Sequence, residues 1–155
     1  MGAKDMVSSF EEFTRQEMRE VYSETVVDHA LRPRNLGQME DADGFGRVTG
    51  PCGDTMEMWL RVKSDTAVTA SFATDGCGAT VACGSLLTEL VRGKTIPQAL
   101  GISQQAVLDA LGGLPEAHAH CSLLAVSTLR EAIRDYLVFK KEPWKRAYRT
   151  YGRGS

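Results

Sequence analysis

The sequence predicts an α+β domain in which a small antiparallel β-sheet of about three strands is covered on one face by helices, the last of them long and C-terminal. Two observations predict this: period-two hydrophobic alternation is confined to residues 45–75, and helical periodicity takes over after residue 78. A third sets the scale, because 155 residues suffice for one compact core and leave no room for a second, giving a single domain over 1–155.

Residues 1–16 lack a sustained apolar period and are expected to form a flexible lead-in. From Glu17 to Leu31 the positions Met18, Val21, Tyr22, Val26 and His29 recur at steps of three and four, predicting a helix that Pro33 stops. The segment Arg32-Pro33-Arg34-Asn35-Leu36-Gly37 reads as a turn, followed by an acidic loop through Asp43. A short strand is expected at Phe45–Thr49. After Gly50-Pro51-Cys52-Gly53-Asp54, alternation puts Met56, Met58, Leu60 and Val62 on one face and Glu57, Trp59, Arg61 and Lys63 on the other. Ser64-Asp65-Thr66 is short enough for a hairpin, and Val68, Ala70 and Phe72 continue the pattern in an antiparallel neighbour that ends near Asp75.

Beyond Gly76-Cys77-Gly78 the period lengthens to 3.6, with Val81, Leu87, Leu90 and Val91 as the inner stripe and Gly93 as the terminating glycine. Thr95 and Ser103 read as N-caps of two short helices, the second closing at Gly112-Gly113. The final helix is expected to begin around 119–121. It turns Val126, Leu129, Ile133, Tyr136 and Leu137 inward and Arg130, Glu131, Arg134 and Asp135 outward.

Composition excludes several classes of function. With 43% hydrophobic and 25% charged residues the chain is that of an ordinary globular domain. No apolar run approaches the roughly 18 residues that span a bilayer, and Glu11, Glu12, Glu17, Glu20 and Glu24 argue against a secretory or transit leader. A cytoplasmic, reducing compartment is the expectation, and there four cysteines point to metal ligands or reactive thiols rather than disulfides. A net charge of −2 supplies no field for nucleic acid or an anionic membrane, so neither is expected as a partner. Lys140, Lys141, Lys145, Arg146, Arg149 and Arg153 against the single Glu142 make residues 140–155 a basic tail, read as solvated, with docking of an acidic protein as the second reading.

Cys52, Cys77 and Cys121 each stand beside Gly, Pro or His where the chain changes element, so all three are able to meet at one end of the sheet. Cys77 and Cys121 open helices, whose free N–H groups and positive dipole ends favour thiolate. Asp54 and His120 add a hard oxygen and an imidazole. Three thiolates with one exchangeable O or N donor suit tetrahedral zinc or iron, or an iron-sulfur cluster held loosely enough to be passed on. Plainer readings stand beside these. Asp54 fits an ordinary turn, and His120 a mere neighbour of a helix start. Cys83, flanked by Ala82 and Gly84, reads as a small buried hydrophobe, His29 as a cap or packing residue, and His118 as solvated or as a further ligand. No CxxC pair is present.

The ordered set Val27-Asp28-His29, Pro33-Arg34-Asn35-Leu36-Gly37, Cys52-Gly53-Asp54, Gly76-Cys77-Gly78-Ala79, the run from Leu86 to Lys94, and His120-Cys121-Ser122-Leu123-Leu124-Ala125 resembles the IscU and NifU-type iron-sulfur cluster assembly scaffolds, over about Tyr22 to Tyr136. The resemblance implies a non-catalytic α+β scaffold that builds a transient 2Fe-2S cluster from ferrous iron (Fe2+) and sulfur and passes it to apo-proteins. Its cysteine ligands match Cys52, Cys77 and Cys121, its lability-tuning aspartate matches Asp54 and its histidine matches His120. The implied partners are a cysteine desulfurase, a ferredoxin-like electron donor and apo iron-sulfur recipients, with Cys121 as persulfide acceptor. Many members carry Leu-Pro-Pro-Val-Lys before the last cysteine, a segment read by a dedicated Hsp70-type chaperone. Here it is Leu114-Pro115-Glu116-Ala117-His118, which makes that chaperone a doubtful partner and adds weight to His118 as an auxiliary ligand. The alternative is a SufU-like, zinc-bound (Zn2+) sulfurtransferase acceptor relaying persulfide, although the Cys77–Cys121 separation leaves no room for the insertion typical of that branch.

Overall fold

The computed structural model describes residues 18–145, so the expected lead-in over 1–16 and the tail beyond Lys145 lie outside the described residues. The single helix its periodicity predicts is interrupted: Met18 and Arg19 are helical, the chain turns, and helix α1 (Glu24–Leu31) begins after Ser23. Ser23 caps it, its hydroxyl accepting the Val26 N–H at 3.1 Å, while the N–H groups of Val21 and Tyr22 turn back onto the Met18 carbonyl. A capping serine thus overrides the continuous three-four spacing, and Val21 is left exposed.

Strands β1 (Gly44–Thr49), β2 (Thr55–Lys63) and β3 (Thr66–Thr74) form an antiparallel sheet in the order β1-β2-β3. The segment expected as a plain turn at 32–37 adds a single parallel bridge at the β3 edge. There the Phe72 N–H donates to the Asn35 carbonyl at 3.0 Å and the Gly37 N–H to the Phe72 carbonyl at 2.8 Å. Ser64 and Asp65, at φ 53° and 57°, make the two-residue hairpin, whose left-handed pair matches the twist of the strands. Met56, Met58 and Leu60 are buried as expected. Trp59 is buried too, its ring against Phe45 at 5.3 Å on the opposite face. A register shift at Arg61/Val62 pairs Val62 with Ala67 and Arg61 with Thr69, so the alternation expected through residue 68 is interrupted and Ala67 and Ala70 are both buried.

Helix α2 (Gly78–Val91) is wedged between β3, α1 and the C-terminal helix, and is buried on most sides rather than along one stripe. Val81 and Leu90 are only half-buried, whereas Ala82, Cys83, Ser85 and Thr88 are fully enclosed. Gly84 permits the closest approach, since a Cβ there would lie 2.5 Å from the Phe72 ring. Helix α3 (Ile96–Leu100) carries the Thr95/Gln98 capping box, and α4 (Gln104–Leu111) is capped by Ser103 and ended by Gly112 at φ 78°. After a 3-10 turn (Glu116–His118), α5 (His120–Lys141) runs the length of the sheet.

Leu129 and Ile133 of α5 are fully buried, but Leu137 is exposed in a shallow groove beside Leu100, and Asp135 turns inward to accept the Phe45 N–H at 2.7 Å. β1 is bare where α5 crosses it: a Cβ at Gly46 would sit 2.5 Å from the Ala132 nitrogen and the Thr128 carbonyl. One contiguous core joins the inner sheet face, α2 and α5. No helix among the described residues is long and apolar enough to cross a membrane.

Candidate metal centre

Three connections converge at one end of the sheet. The β1–β2 turn, closed by the Gly50 N–H to the Asp54 carbonyl at 2.8 Å, holds Cys52 and Asp54. The β3–α2 junction makes Cys77 the N-cap residue of α2. The turn after α4 delivers His118, His120 and Cys121.

All five residues expected from the sequence meet here. Cys52 Sγ lies 3.1 Å from His120 Nε2, and that same nitrogen lies 3.8 Å from Cys121 Sγ. The buried Thr80 hydroxyl sits 3.3 Å from Cys121 Sγ, 3.7 Å from Cys77 Sγ and 3.4 Å from Asp54 Oδ2. Thr80 was not among the sequence candidates, and its single proton faces three acceptors. Its seat depends on Gly76, where a Cβ would lie 2.6 Å from the Thr80 Cβ. Cys77, His118 and Cys121 each offer a donor atom within 4.8 Å of the other two, the single such group among the described residues.

The thiols are not equivalent. Burial opposes ionisation of Cys77, but the Thr80 N–H, the Thr80 hydroxyl and the Ala79 N–H outweigh it, and the thiol sits below its ordinary value. Cys121 also stands in the first turn of a helix, as expected, yet it is 1% exposed; burial pushes its thiol up, with Cys77 and Asp54 adding to the effect and Thr80 opposing it. A helix start alone therefore does not activate it. Tyr22, against His118 at 5.7 Å between ring centres, is raised by burial and by the two sulfurs nearby.

Cys83 and His29 lie apart from this cluster. Cys83 is fully buried and its thiol is raised strongly by desolvation, as expected of a small core residue. His29 packs at α2: its Nδ1 is 2.7 Å from the Ser85 hydroxyl, which also accepts the Arg34 N–H at 2.8 Å. Burial and then Arg34 lower its pKa, so a neutral ring accepting from Ser85 satisfies both groups. Asn35 Nδ2 reaches Thr88 Oγ1 at 3.1 Å and Glu89 Oε1 at 3.2 Å. The motif residues at 28–37 and 85–89 thus lock α1 to α2 and hold the sheet edge, rather than touching the thiols.

Such a constellation, on a three-stranded antiparallel sheet backed by a long C-terminal helix, defines a thiol-rich scaffold whose side chains could hold a metal. Residues 21–143 match the NifU-like N-terminal domain, and the chain belongs to that family. It is 50% identical over 117 residues to the iron-sulfur cluster assembly scaffold protein IscU 1 of Archaeoglobus fulgidus, covering 75% of this chain and 76% of that one. It is 44% identical over 120 residues to the IscU scaffold of Aquifex aeolicus, covering 76% of each. The crystal structure of a NifU-like protein (N-terminal) from Brucella abortus shares the fold with a TM-score of 0.61 at 19% identity, over 77% of this chain and 96% of that one.

Proposed function

We propose that this chain is a non-catalytic scaffold on which a 2Fe-2S cluster is assembled and from which it is passed to apo-proteins. The observation that carries the reading is the meeting of Cys52, Cys77 and Cys121, from three separate connections, with Asp54 and His120 beside them. Thiolates suit iron and sulfide, whereas a carboxylate oxygen is a poor match for a thiophilic iron and makes one position exchangeable.

Sulfur arrives from a cysteine desulfurase. The Cys121 thiolate attacks the outer sulfur of the donor's persulfide, a new S–S bond forms on Cys121, and the donor cysteine leaves as thiolate. Each transferred sulfur then needs two electrons to become sulfide, drawn from ferrous iron and a ferredoxin-like donor. Because Cys121 is buried, its sulfur has to become accessible for this step; His120 and Thr80, already beside the sulfur, stabilise the thiolate as it forms.

Anaerobic incubation with ferrous iron, cysteine and a desulfurase is expected to give sulfide-to-iron charge-transfer absorption, and Cys52→Ser, Cys77→Ser or Cys121→Ser to abolish its retention. Retention unchanged in any of the three removes that residue from the ligand set. Zinc that stays bound while persulfide is still accepted and no cluster forms would replace the scaffold reading with that of a sulfurtransferase acceptor. Asp54→Ala is expected to slow cluster transfer to an apo-ferredoxin severalfold, since an exchangeable oxygen donor is removed; equal transfer rates would show that Asp54 does not tune release.

A further inference from the structure

We propose that the groove between the second half of α5 and the end of α3 docks an acidic, apolar-tipped surface segment of the apo iron-sulfur protein that receives the cluster. The partner's identity rests on the scaffold reading; the chemistry of the surface comes from a separate part of the molecule. Leu100, Leu137 and Val138, respectively 41%, 38% and 38% exposed, share one open groove of about 220 Å³. Apolar side chains exposed singly need no explanation, but three gathered in one concavity mark a surface built to be covered. Arg130, Arg134 and Lys141 form its rim. Trp144, 64% exposed, follows three residues beyond Lys141 in a turn packed on α5, and arginine and aromatic side chains are the types that interfaces concentrate.

The charges select the partner. A helix C-terminus attracts cations, which accounts for Lys141 in the last turn, but Arg130 and Arg134 stand too far from that end to be held by the dipole. Four residues apart, they are a like-charge pair that weakens a helix. Arg134 meets Glu131 only at 3.6 Å and in the open, and neither Arg130 nor Lys141 has an ion-pair partner among the described residues. Three cations around an apolar floor complement carboxylates flanking a few apolar side chains. They oppose a second copy of this chain, because a twofold contact here would set the cations against themselves. The sequence from Pro143 to Ser155 adds Arg146, Arg149 and Arg153 and no acidic residue. Arg130 lies about 14 Å and Lys141 about 30 Å along α5 from Cys121. A recipient anchored here leaves every cluster ligand free. Handoff takes several steps, each recipient thiolate replacing one scaffold thiolate on iron with no change of redox state, and an anchor away from the sulfurs keeps the recipient's thiols at high effective concentration throughout.

The test titrates the metal-free full chain with an acidic apo-ferredoxin by calorimetry, and assays the cluster-loaded chain for transfer to the same protein. Leu137→Gln is expected to weaken binding about tenfold, the loss that follows when one leucine is kept from burial. Arg130→Gln with Arg134→Gln is expected to weaken it by a similar factor and to remove most of the salt dependence of the wild type. Both variants should raise the ferredoxin concentration that gives half-maximal transfer, while the plateau rate, cluster assembly and the thermal midpoint stay as they were, since all three side chains are exposed and none touches the thiols. Equal affinity and equal half-saturation in both variants would overturn the proposal. So would three other results: binding to phosphatidylserine vesicles but not to apo-ferredoxin, which would make the partner a membrane; a dimer in sedimentation that Leu137→Gln dissociates, which would make it a second copy; and tighter ferredoxin binding after Phe10→Ser with Phe13→Ser, which would give the groove to this chain's own N-terminal residues. The two readings fail separately. Protein that binds apo-ferredoxin as stated and builds no cluster loses the scaffold function and keeps this surface; protein that builds and transfers a cluster regardless of the groove variants does the reverse.

Discussion

The two ends of the β2–β3 hairpin are built from the same elements and treated in opposite ways. At the hairpin tip the polar groups are closed on one another: Asp65 accepts the Tyr136 hydroxyl at 2.5 Å and the Lys140 ammonium at 2.7 and 2.8 Å, tying the turn to the last turns of α5. At the thiol end, Asp54, Cys77 and Cys121 compete for the one proton of Thr80. Nine-residue strands at about 3.3 Å per residue and a 22-residue helix at about 1.5 Å per residue are both about 30 Å long, so α5 reaches from one end to the other. The lesson is that a surplus of acceptors with too few donors is tolerated where the frame is already fixed elsewhere, and such a surplus is what a cation satisfies.

The comparison breaks most completely if the shared helix is loosened. Leu129→Ala, at a fully buried position midway along α5, is expected to lower stability by about 2–5 kcal/mol in chemical denaturation and to weaken metal retention and the hairpin clasp together. Loss of stability with metal affinity intact would show that the thiol end holds itself.

Thr80→Val sharpens the contrast at nearly constant volume. It removes a donor to the Cys77 thiolate, so the thiol titrates at higher pH. At neutral pH, where the depressed value leaves Cys77 more ionised than an ordinary thiol, its alkylation by iodoacetamide is expected to slow. Wild-type labelling should run Cys77 ahead of Cys121, with Cys83 unreactive in the folded protein, and peptide mass spectrometry gives all three rates. An unchanged Cys77 rate in Thr80→Val would remove Thr80 from the site.

The smallest effect belongs to the closed end. Tyr136→Phe is expected to cost less than about 1 kcal/mol, since the bond it removes is largely solvated, and to leave thiol labelling as it was. The clasp also has a pH signature. Hydrogen bonds from Lys140 and then Tyr136 hold the Asp65 carboxyl below its ordinary value, so its contribution is present above the unfolded carboxyl range and is lost as pH falls through the depressed folded value. Tyr136 is pushed up to about 12, by burial and then by Asp65, so its contribution persists below the unfolded tyrosine value and fades only in strong alkali. Thermal midpoints that fall on the acid side alike in the variant and the wild type would show that the Tyr136 hydroxyl adds nothing to the Lys140–Asp65 pair.

Local chemistry made much of this legible beforehand. The Thr95 and Ser103 caps, the Gly112-Gly113 stop and the Ser64-Asp65 hairpin depend only on neighbouring residues, and they stand where the sequence puts them. The convergence of Cys52, Cys77 and Cys121 was legible because each stands where the chain changes element, and such junctions gather at the ends of a sheet. What was illegible was tertiary. A threonine one turn into a helix gives no sign that it faces two sulfurs and a carboxylate, and the burial of Cys121 or of Trp59 depends on what packs over them. Ser23 was the exception, a local signal overshadowed by a longer period.

The bare stretch of β1 under α5 has a consequence for how lesions in this protein would present. With glycine at 44 and 46, the helix rests on peptide groups, with no side chain between to absorb a shift. Cys121 lies about 10 Å up the axis from Thr128, one of the points of contact. A single methyl inserted beneath therefore acts as a wedge under a lever arm, lifting the distant sulfur off its neighbours, so that damage in an inert-looking strand would surface as failure to hold metal.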